Sequence, residues 1–403
     1  MQDRRIRILA GILLGAGAAG LFAVIAASPQ KFERDFATYY YAAAAYAGGE
    51  NPYDARLNEG GTAGPTRVMF VYPPHILPLF GWTNGLPYEQ ARLIWLAAKG
   101  AFLLLLLLLW SKILKPDRPD VYFYAFAALA FNGAVLIDLT TGNVTIIEQA
   151  LLWGGFFAFT KKRWLTFALL VAASALFKVT NGLFLLLLAS MPLRKTGPSL
   201  AAGALGLAAP LAISLARWPG LFDAFLKNAG GLMQQGERGS SNPCLWAFLA
   251  DTRDVMASLT GWEIRVYAVE ALFVLHALFV LLLTSRAVRT LIRTGGADGL
   301  LVAVALSSLA FPLIVPRFKD YSFVLLVPAA YMLIRRAGPL RLTYALVAFI
   351  VCLPTVTSFR LLMPAAEYHL LFVTYGLWIL MLMYIRAGYD PGAEEAVRPA
   401  GAA

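Results

Sequence analysis

Residues 31–75 read KFERDFATYYYAAAAYAGGENPYDARLNEGGTAGPTRVMFVYPPH, a polar and aromatic stretch between two hydrophobic segments. A helix is predicted to begin at Asp35, because Asp favours helix starts and the sequence FATYYYAAAA follows it. Asp35, Tyr39 and Tyr46 then share one helix face, so the carboxylate and the phenols line the same groove. An Asp that caps a helix is an ordinary feature, but a carboxylate at this place can also act as a general base on a hydroxyl. We expect the chemistry of the protein at Asp35.

The composition around this stretch is that of a membrane protein. The chain of 403 residues is 59% hydrophobic and 14% charged, and several runs approach the ~20 apolar residues that cross a bilayer. We predict an all-α polytopic membrane protein with one integral membrane domain over residues 1–403. The net charge of +11 comes largely from Lys and Arg between the apolar runs. This is the positive-inside pattern and not a nucleic-acid footprint, so nucleic acid is excluded as a partner.

The basic clusters predict the topology. Arg4, Arg5 and Arg7 place the N-terminus in the cytoplasm, so Asp35 lies on the extracytoplasmic side, the periplasm or exterior beyond the inner membrane of a bacterium. Placing five later clusters in the cytoplasm gives about twelve spans and two cytoplasmic termini. The predicted spans are 8–27, 93–113, 121–138, 143–160, 164–178, 181–193, 199–216, 266–285, 299–316, 321–334, 343–358 and 369–385.

The same topology divides the connections. Residues 28–92 form a first extracytoplasmic loop with interfacial helices, residues 217–263 form a second, and residues 387–403 form a cytoplasmic tail. The apolar segment 68–86 is broken by three prolines and is expected to insert only partly into the membrane.

Polar residues from distant segments converge on the extracytoplasmic side in this topology. Lys178, Arg317 and Lys319 supply cations that can hold a phosphate and stabilise it as it leaves. The candidate substrate-binding residues are Tyr39, Tyr72, His75, Asn143, Asn242 and Asp320. One carboxylate facing several cations at the mouth of a membrane bundle predicts a site for an anionic, lipid-linked substrate.

Structural interpretations stand beside these assignments. Lys178 can snorkel to the interface, the cations near Pro316 can anchor a helix end, and His75 can be a turn residue hydrogen-bonded to backbone. A transporter or lipid flippase is the main alternative function, but it predicts internal repeats and polar residues through the membrane depth, which the sequence lacks. A polymerase or ligase with a diphosphate-linked donor is a further alternative. No metal-ligand spacing, Walker A pattern or Gly-x-Ser-x-Gly motif occurs, so no cofactor or metal is expected.

Six segments also resemble a known family. They are DFATYYYAAAAYAGGENPYD, FVYPP, TTGNVTIIEQALL, ALFKVTNG, SSNPCLWAFL and PRFKDYSFVLLVP. In their order and spacing the chain resembles glycosyltransferase family 87, polytopic GT-C-type enzymes that include polyprenol-phosphate-mannose-dependent mannosyltransferases. The resemblance implies a GT-C bundle, extracytoplasmic catalysis, a polyprenyl-monophosphate sugar donor and Asp35 as the catalytic acid of the first loop. A mannose donor is favoured and an arabinofuranose donor is compatible, with a glycolipid or cell-envelope glycan as acceptor.

The expected mechanism is a direct displacement with inversion at the anomeric carbon. Asp35 acts as general base on the acceptor hydroxyl, while Lys178, Arg317 and Lys319 hold the departing polyprenyl phosphate. Because a monophosphate leaving group carries its charge into a cationic pocket, this mechanism requires no divalent metal.

Overall fold

The computed structural model describes residues 2–27, 34–54, 69–114, 121–235, 238–261, 265–294, 296–336, 341–353 and 366–387. All regular structure in these ranges is helical, which confirms the all-α part of the prediction. The α-helices are α1 (Gln2–Ala27), α2 (Arg34–Ala47), α3 (Tyr88–Ile113), α4 (Val121–Thr141), α5 (Thr145–Thr160), α6 (Trp164–Phe177), α7 (Leu186–Ala189), α8 (Leu193–Arg217), α9 (Pro219–Gln235), α10 (Leu245–Thr260), α11 (Val266–Thr294), α12 (Gly296–Ile314), α13 (Val327–Arg336), α14 (Arg341–Cys352) and α15 (His369–Arg386). The 3-10 helices are Pro74–Gly85, Val179–Leu185, Gly239–Ser241 and Asp320–Leu326.

Six helices of the described ranges are long and apolar enough to cross a membrane. They contain Tyr88–Ile113, Tyr122–Thr141, Leu193–Arg217, Val266–Arg293, Gly296–Ile314 and His369–Arg386. The predicted span 8–27 lies within the 26-residue helix α1, and the predicted span 343–358 extends past the described residues after position 353. The remaining predicted spans coincide with shorter elements, and the predicted span 181–193 divides into a 3-10 helix and the four-residue helix α7. The layout of twelve spans with cytoplasmic termini therefore stays a prediction.

The first loop contains an aromatic layer that supports α2. Helix α2 begins at Arg34, so Asp35 lies in its first turn and is not its first residue. The proline-rich segment 68–86 contains the 3-10 helix Pro74–Gly85, because prolines remove the backbone donors that an α-helix needs. Phe36, Tyr39, Tyr72, Phe80 and Trp95 from α2, this segment and α3 form one buried cluster. Residues 28–33 and 55–68 of the predicted loop lie outside the described ranges.

The second loop is helical, as expected for an ordered loop. It contains α9 and α10 between positions 217 and 263. The side chain of Cys244 accepts a hydrogen bond from the Ala247 amide at the start of α10, and Gly261 ends α10 in a left-handed conformation with φ +72°. The predicted tail is described only at residue 387.

Helices α6 and α8 approach each other closely at small residues. A Cβ atom at Gly203 of α8 would lie 2.8 Å from Leu185 Cδ2 and 3.1 Å from Ala168 Cβ. Small residues of this kind allow membrane helices to pack by close backbone approach. The small residue at position 203 therefore allows α8 to lie close to α6, the helix directly before Lys178.

Candidate active site

The first turn of α2 is held by aromatic contacts. Phe36 stacks on Trp95 with ring centroids 5.5 Å apart and planes inclined by 19°. The hydroxyls of Tyr39 and Tyr72 lie 3.0 Å apart in a hydrogen bond. Burial raises the pKa of both phenols, so both remain protonated near neutral pH. These contacts fix the helix that carries Asp35.

Asn143 binds the Asp35 carboxylate. Its Nδ2 donates to Asp35 Oδ2 over 2.7 Å. Gly142 has φ +71°, which lets the chain turn sharply between α4 and α5. The Asn143 Oδ1 accepts hydrogen bonds from the Thr145 amide (3.0 Å) and the Thr145 hydroxyl (2.8 Å). Since those two donors fix the oxygen end of the amide, the nitrogen end must face Asp35.

Lys178 is connected to this pair through Thr145. The chain is extended at Lys178, where α6 ends, and the ammonium donates to Thr145 Oγ1 (2.8 Å) and Ser322 Oγ (3.2 Å). Its third partner is Glu148, with Nζ 3.0 Å from Oε2. The ammonium also lies 5.3 Å from the ring centroid of Tyr321. Asp35 and Lys178 therefore belong to one network, linked through the Asn143 and Thr145 side chains.

The sequence analysis missed Glu148. Only 1% of its side chain is exposed, and its Oε1 accepts hydrogen bonds from Asn181 (2.8 Å) and Gln149 (3.3 Å). The Asn181 amide also donates to Ser174 Oγ over 2.7 Å. The signal that singled out Lys178, an ionisable residue in apolar surroundings, applies equally to the glutamate of TTGNVTIIEQ.

The segment after α12 carries the other two predicted cations, Arg317 and Lys319. Burial lowers the pKa of Lys319, and the charges of Asp320 and Asp35 oppose this effect. Burial raises the pKa of Asp320, and the negative charge of Asp35 raises it further. The Lys319 ammonium lies 5.9 Å from the ring centroid of Tyr321, the ring that the Lys178 ammonium also faces, so both lysines belong to the same site. The charge of Arg317 acts on the hydroxyl of Tyr321, whose ring also contacts Lys178.

Asn242 holds this segment from the second loop. Its Oδ1 accepts a hydrogen bond from the Phe318 amide over 3.0 Å. Two residues later, the thiol of Cys244 donates to the Pro316 carbonyl over 3.1 Å. The SSNPC sequence therefore fixes the backbone that carries Arg317 and Lys319. This contact gives Asn242 a supporting place beside the site.

His75 lies between α6 and α8. Its Nδ1 is 3.1 Å from Ser214 Oγ, and its Nε2 is 3.2 Å from the Leu176 carbonyl oxygen. Burial lowers the pKa of His75, and the hydrogen bond to Leu176 opposes this effect. These contacts match the structural interpretation of a histidine bonded to backbone. Its role in substrate binding stays a prediction.

The structure thus brings most of the predicted residues together. Asp35, Asn143, Lys178, Lys319 and Asp320 occupy one region, with the paired hydroxyls of the two tyrosines beside it. Within the described ranges, no three His, Cys, Asp or Glu side chains form a group that could hold a metal ion.

An apolar groove begins in the 3-10 helix that follows Lys178. It runs between this helix, α7, α11 and α12. The lining residues are Leu183, Phe184, Leu186, Leu187, Ser190, Leu281, Thr284, Ser285, Val288, Ser307, Ala310, Phe311 and Ile314. Leu183 and Leu186 are 39% and 49% exposed, so the groove opens at the surface of the helical bundle.

Comparison with known proteins gives one family. The sequence profile of glycosyltransferase family 87 matches residues 70–316, more than half of the chain. The matched part includes Asn143, Glu148 and Lys178, whereas Asp35 precedes it and Arg317 directly follows it. No curated protein and no solved structure matches the chain.

Proposed function

This chain belongs to glycosyltransferase family 87, and we propose that it transfers a sugar, mannose in the first instance, from a polyprenyl-monophosphate donor to a hydroxyl of a glycolipid or cell-envelope glycan. The reaction takes place on the extracytoplasmic face of a bacterial inner membrane. The observation that carries the proposal is the hydrogen-bonded network that joins the Asp35 carboxylate to the Lys178 ammonium. A base for the acceptor and a cation for the leaving phosphate are the two groups that this displacement needs.

Asp35 serves as the general base. Asn143 holds Oδ2, and a carboxylate accepts hydrogen bonds through both of its oxygens, so Oδ1 takes the proton of the acceptor hydroxyl. The acceptor oxygen then bonds to the anomeric carbon as the bond from that carbon to the phosphate oxygen breaks. The bonding electrons leave with the phosphate, and attack from the opposite side inverts the anomeric configuration.

Lys178, Arg317 and Lys319 bind the departing phosphate. Charge-assisted hydrogen bonds from cations to phosphate oxygens are among the strongest in proteins. They stabilise the transition state most because negative charge accumulates on the leaving oxygen as the reaction proceeds. Glu148 keeps the Lys178 ammonium in place through their ion pair of 3.0 Å.

The apolar groove supports a lipid-linked donor. It begins in the 3-10 helix directly after Lys178 and opens at the surface of the bundle, so an isoprenoid tail can extend from a phosphate at Lys178 into the lipid. Most of its lining residues are apolar, as expected for a site that holds a hydrocarbon chain. A water-soluble nucleotide-sugar donor would make no use of it.

Sugar transfer by the reconstituted protein tests the proposal. Radiolabelled polyprenyl-phosphate mannose and polyprenyl-phosphate arabinofuranose are compared with a diphosphate-linked donor, and the anomeric configuration of the product is read by NMR. We expect transfer from a monophosphate donor with inversion. Transfer from the diphosphate donor alone would overturn the donor class, and retention of configuration would overturn the displacement.

The Asp35→Asn variant tests the base. We expect kcat to fall by about 10²- to 10⁴-fold while donor binding is unchanged. Asp223→Asn in α9 is the matched control, because the Asp223 side chain is 63% exposed and its ion pair is with Lys227 one turn away. Transfer at the normal rate by Asp35→Asn would remove Asp35 as the base.

A further inference from the structure

A buried ion pair lies next to the site. The Lys99 ammonium of α3 is 2.9 Å from Asp138 Oδ2 near the end of α4, and neither side chain is exposed at all. A fully buried ion pair rarely stabilises a fold more than apolar residues of the same size would. In membrane-spanning helices such groups are costly and usually serve function. Stability alone therefore gives no reason for this pair.

Lys99 also binds the backbone of Asp138. Its ammonium donates to the Asp138 carbonyl oxygen, and the same oxygen accepts from the Gly142 amide (3.2 Å) and the Thr141 hydroxyl (3.2 Å). Three donors thus meet at the carbonyl where the turn between α4 and α5 starts. Asn143, which binds Asp35, is the residue after this turn.

Trp95 fixes the other end of the same turn. It lies one helical turn before Lys99 on α3, and its indole N–H donates to the Gly142 carbonyl over 2.9 Å. Its ring stacks on Phe36, the neighbour of Asp35. One face of α3 therefore contacts both the turn that carries Asn143 and the helix that carries Asp35.

We propose that Lys99, Asp138 and Trp95 are positioning residues that together set the geometry of the Asp35–Asn143 hydrogen bond. Lys99 and Asp138 hold the start of the 138–142 turn, and the direction of the Asn143 side-chain amide follows from that turn. A misplacement of about 1 Å at a reacting group costs about 10²-fold in rate. This inference rests on the proposed function, because Asp35 is taken there as the base.

The double variant Lys99→Met/Asp138→Leu separates positioning from stability. It replaces the buried charges by apolar groups, so the protein still folds, but nothing then ties α3 to the Asp138 carbonyl. We expect kcat to fall by about 10²-fold with the KM for the donor within about twofold of the original value. Hydrogen–deuterium exchange should accelerate in peptides covering 139–146 and stay unchanged in peptides from α12.

Trp95→Phe gives a second test that does not depend on the ion pair. It keeps an aromatic ring against Phe36 and removes the hydrogen bond to Gly142, so we expect kcat to fall at least fivefold and exchange in 139–146 to rise. Trp110→Phe is the matched control. That indole is fully buried and its nitrogen has no hydrogen-bond partner among the described residues, so only ring volume is lost and kcat stays unchanged.

Normal kcat and normal exchange of 139–146 in the folded double variant would overturn the inference. Should the double variant fail to fold, Trp95→Phe decides, and normal kcat and exchange in that variant would overturn it equally. Failure of the unaltered protein to transfer sugar would reject the proposed function. In that case, faster exchange of 139–146 in the variants still supports the positioning role, and unchanged exchange removes it.

Discussion

The Lys178 ammonium lies 3.0 Å from the Glu148 carboxylate, and the two side chains differ in exposure, 24% against 1%. Glu148 therefore depends on Lys178 for its counter-charge, whereas Lys178 also reaches the open part of the site. Removing one partner of a buried pair leaves an uncompensated charge, but removing both is tolerated. The structural role and the binding role of Lys178 can thus be separated.

We predict that Lys178→Met weakens binding of polyprenyl phosphate at least tenfold and lowers the free energy of unfolding by about 3 kcal/mol. Lys178→Met/Glu148→Gln should recover most of the stability without recovering binding. Thermal unfolding and titration with a fluorescent polyprenyl phosphate measure the two effects. Normal affinity in the double variant would show that Lys178 is not a phosphate ligand.

Sugar transfer should continue in the presence of a chelator. In the proposed mechanism, Lys178, Arg317 and Lys319 supply the positive charge that a divalent cation supplies in many phosphate sites. EDTA at millimolar concentration is therefore expected to change kcat by less than twofold. Magnesium and manganese are added back in parallel reactions. Loss of activity with EDTA that either metal restores would contradict the metal-free mechanism.

His75 should make stability sensitive to acid. Burial lowers its pKa below the ordinary value of 6.5, so the unfolded chain binds a proton more readily than the folded protein does. The contribution of His75 is complete above about pH 6.5 and is lost as the pH falls towards the lower pKa of the folded state. The melting temperature of the protein should drop between pH 7.5 and pH 5, and His75→Gln should flatten this dependence. An equally steep drop of the melting temperature in His75→Gln would mean that another group causes the pH dependence.

Gly203→Val should separate α8 from α6. The new side chain would meet Leu185 at 2.8 Å and the Ala168 Cβ at 3.1 Å, and overpacking of this kind costs roughly 1 to 3 kcal/mol. Gly197→Ala in the same helix is the control, because no described atom outside the helix lies within 4 Å of a Cβ atom built there. Thermal unfolding in detergent compares the two. A melting temperature for Gly203→Val equal to that of the control would mean that α6 and α8 do not require the close approach.

The residues that sequence reasoning found are those whose chemistry is unusual for their surroundings. Lys178 stands out because charges are expensive near lipid, and Asp35 stands out because its carboxylate lies at the start of a predicted helix in a polar, aromatic stretch. Glu148 gives the same signal as Lys178, but its role follows from its ion pair with Lys178. The two residues are 30 positions apart in the sequence, and helix packing brings them together. The hydrogen bond from Asn143 to Asp35 is equally invisible, since it spans 108 positions in the chain.

Sequence patterns predicted the presence of helices more reliably than the positions at which the helices are interrupted. The polar sequence FKVTNG indicated an interruption at Lys178, and α6 ends there. Hydropathy then predicted one span over 181–193, because an apolar run gives the same signal whether it continues as an α-helix or tightens into a 3-10 turn. His75 shows a related limit, because its residue type does not reveal that both ring nitrogens meet Ser214 and Leu176.

An ammonium carries three protons, and Lys178 already has three oxygen partners in Thr145, Ser322 and Glu148. A donor phosphate that binds Lys178 as proposed must therefore displace one of them, and the Ser322 hydroxyl, at 3.2 Å the most distant, is the easiest to replace. The Ser322 hydroxyl then competes with the donor phosphate for Lys178. In the proposed reaction, the affinity for the donor measures an exchange of oxygen ligands on the Lys178 nitrogen, and the Ser322 hydroxyl can take the place of the phosphate again after sugar transfer.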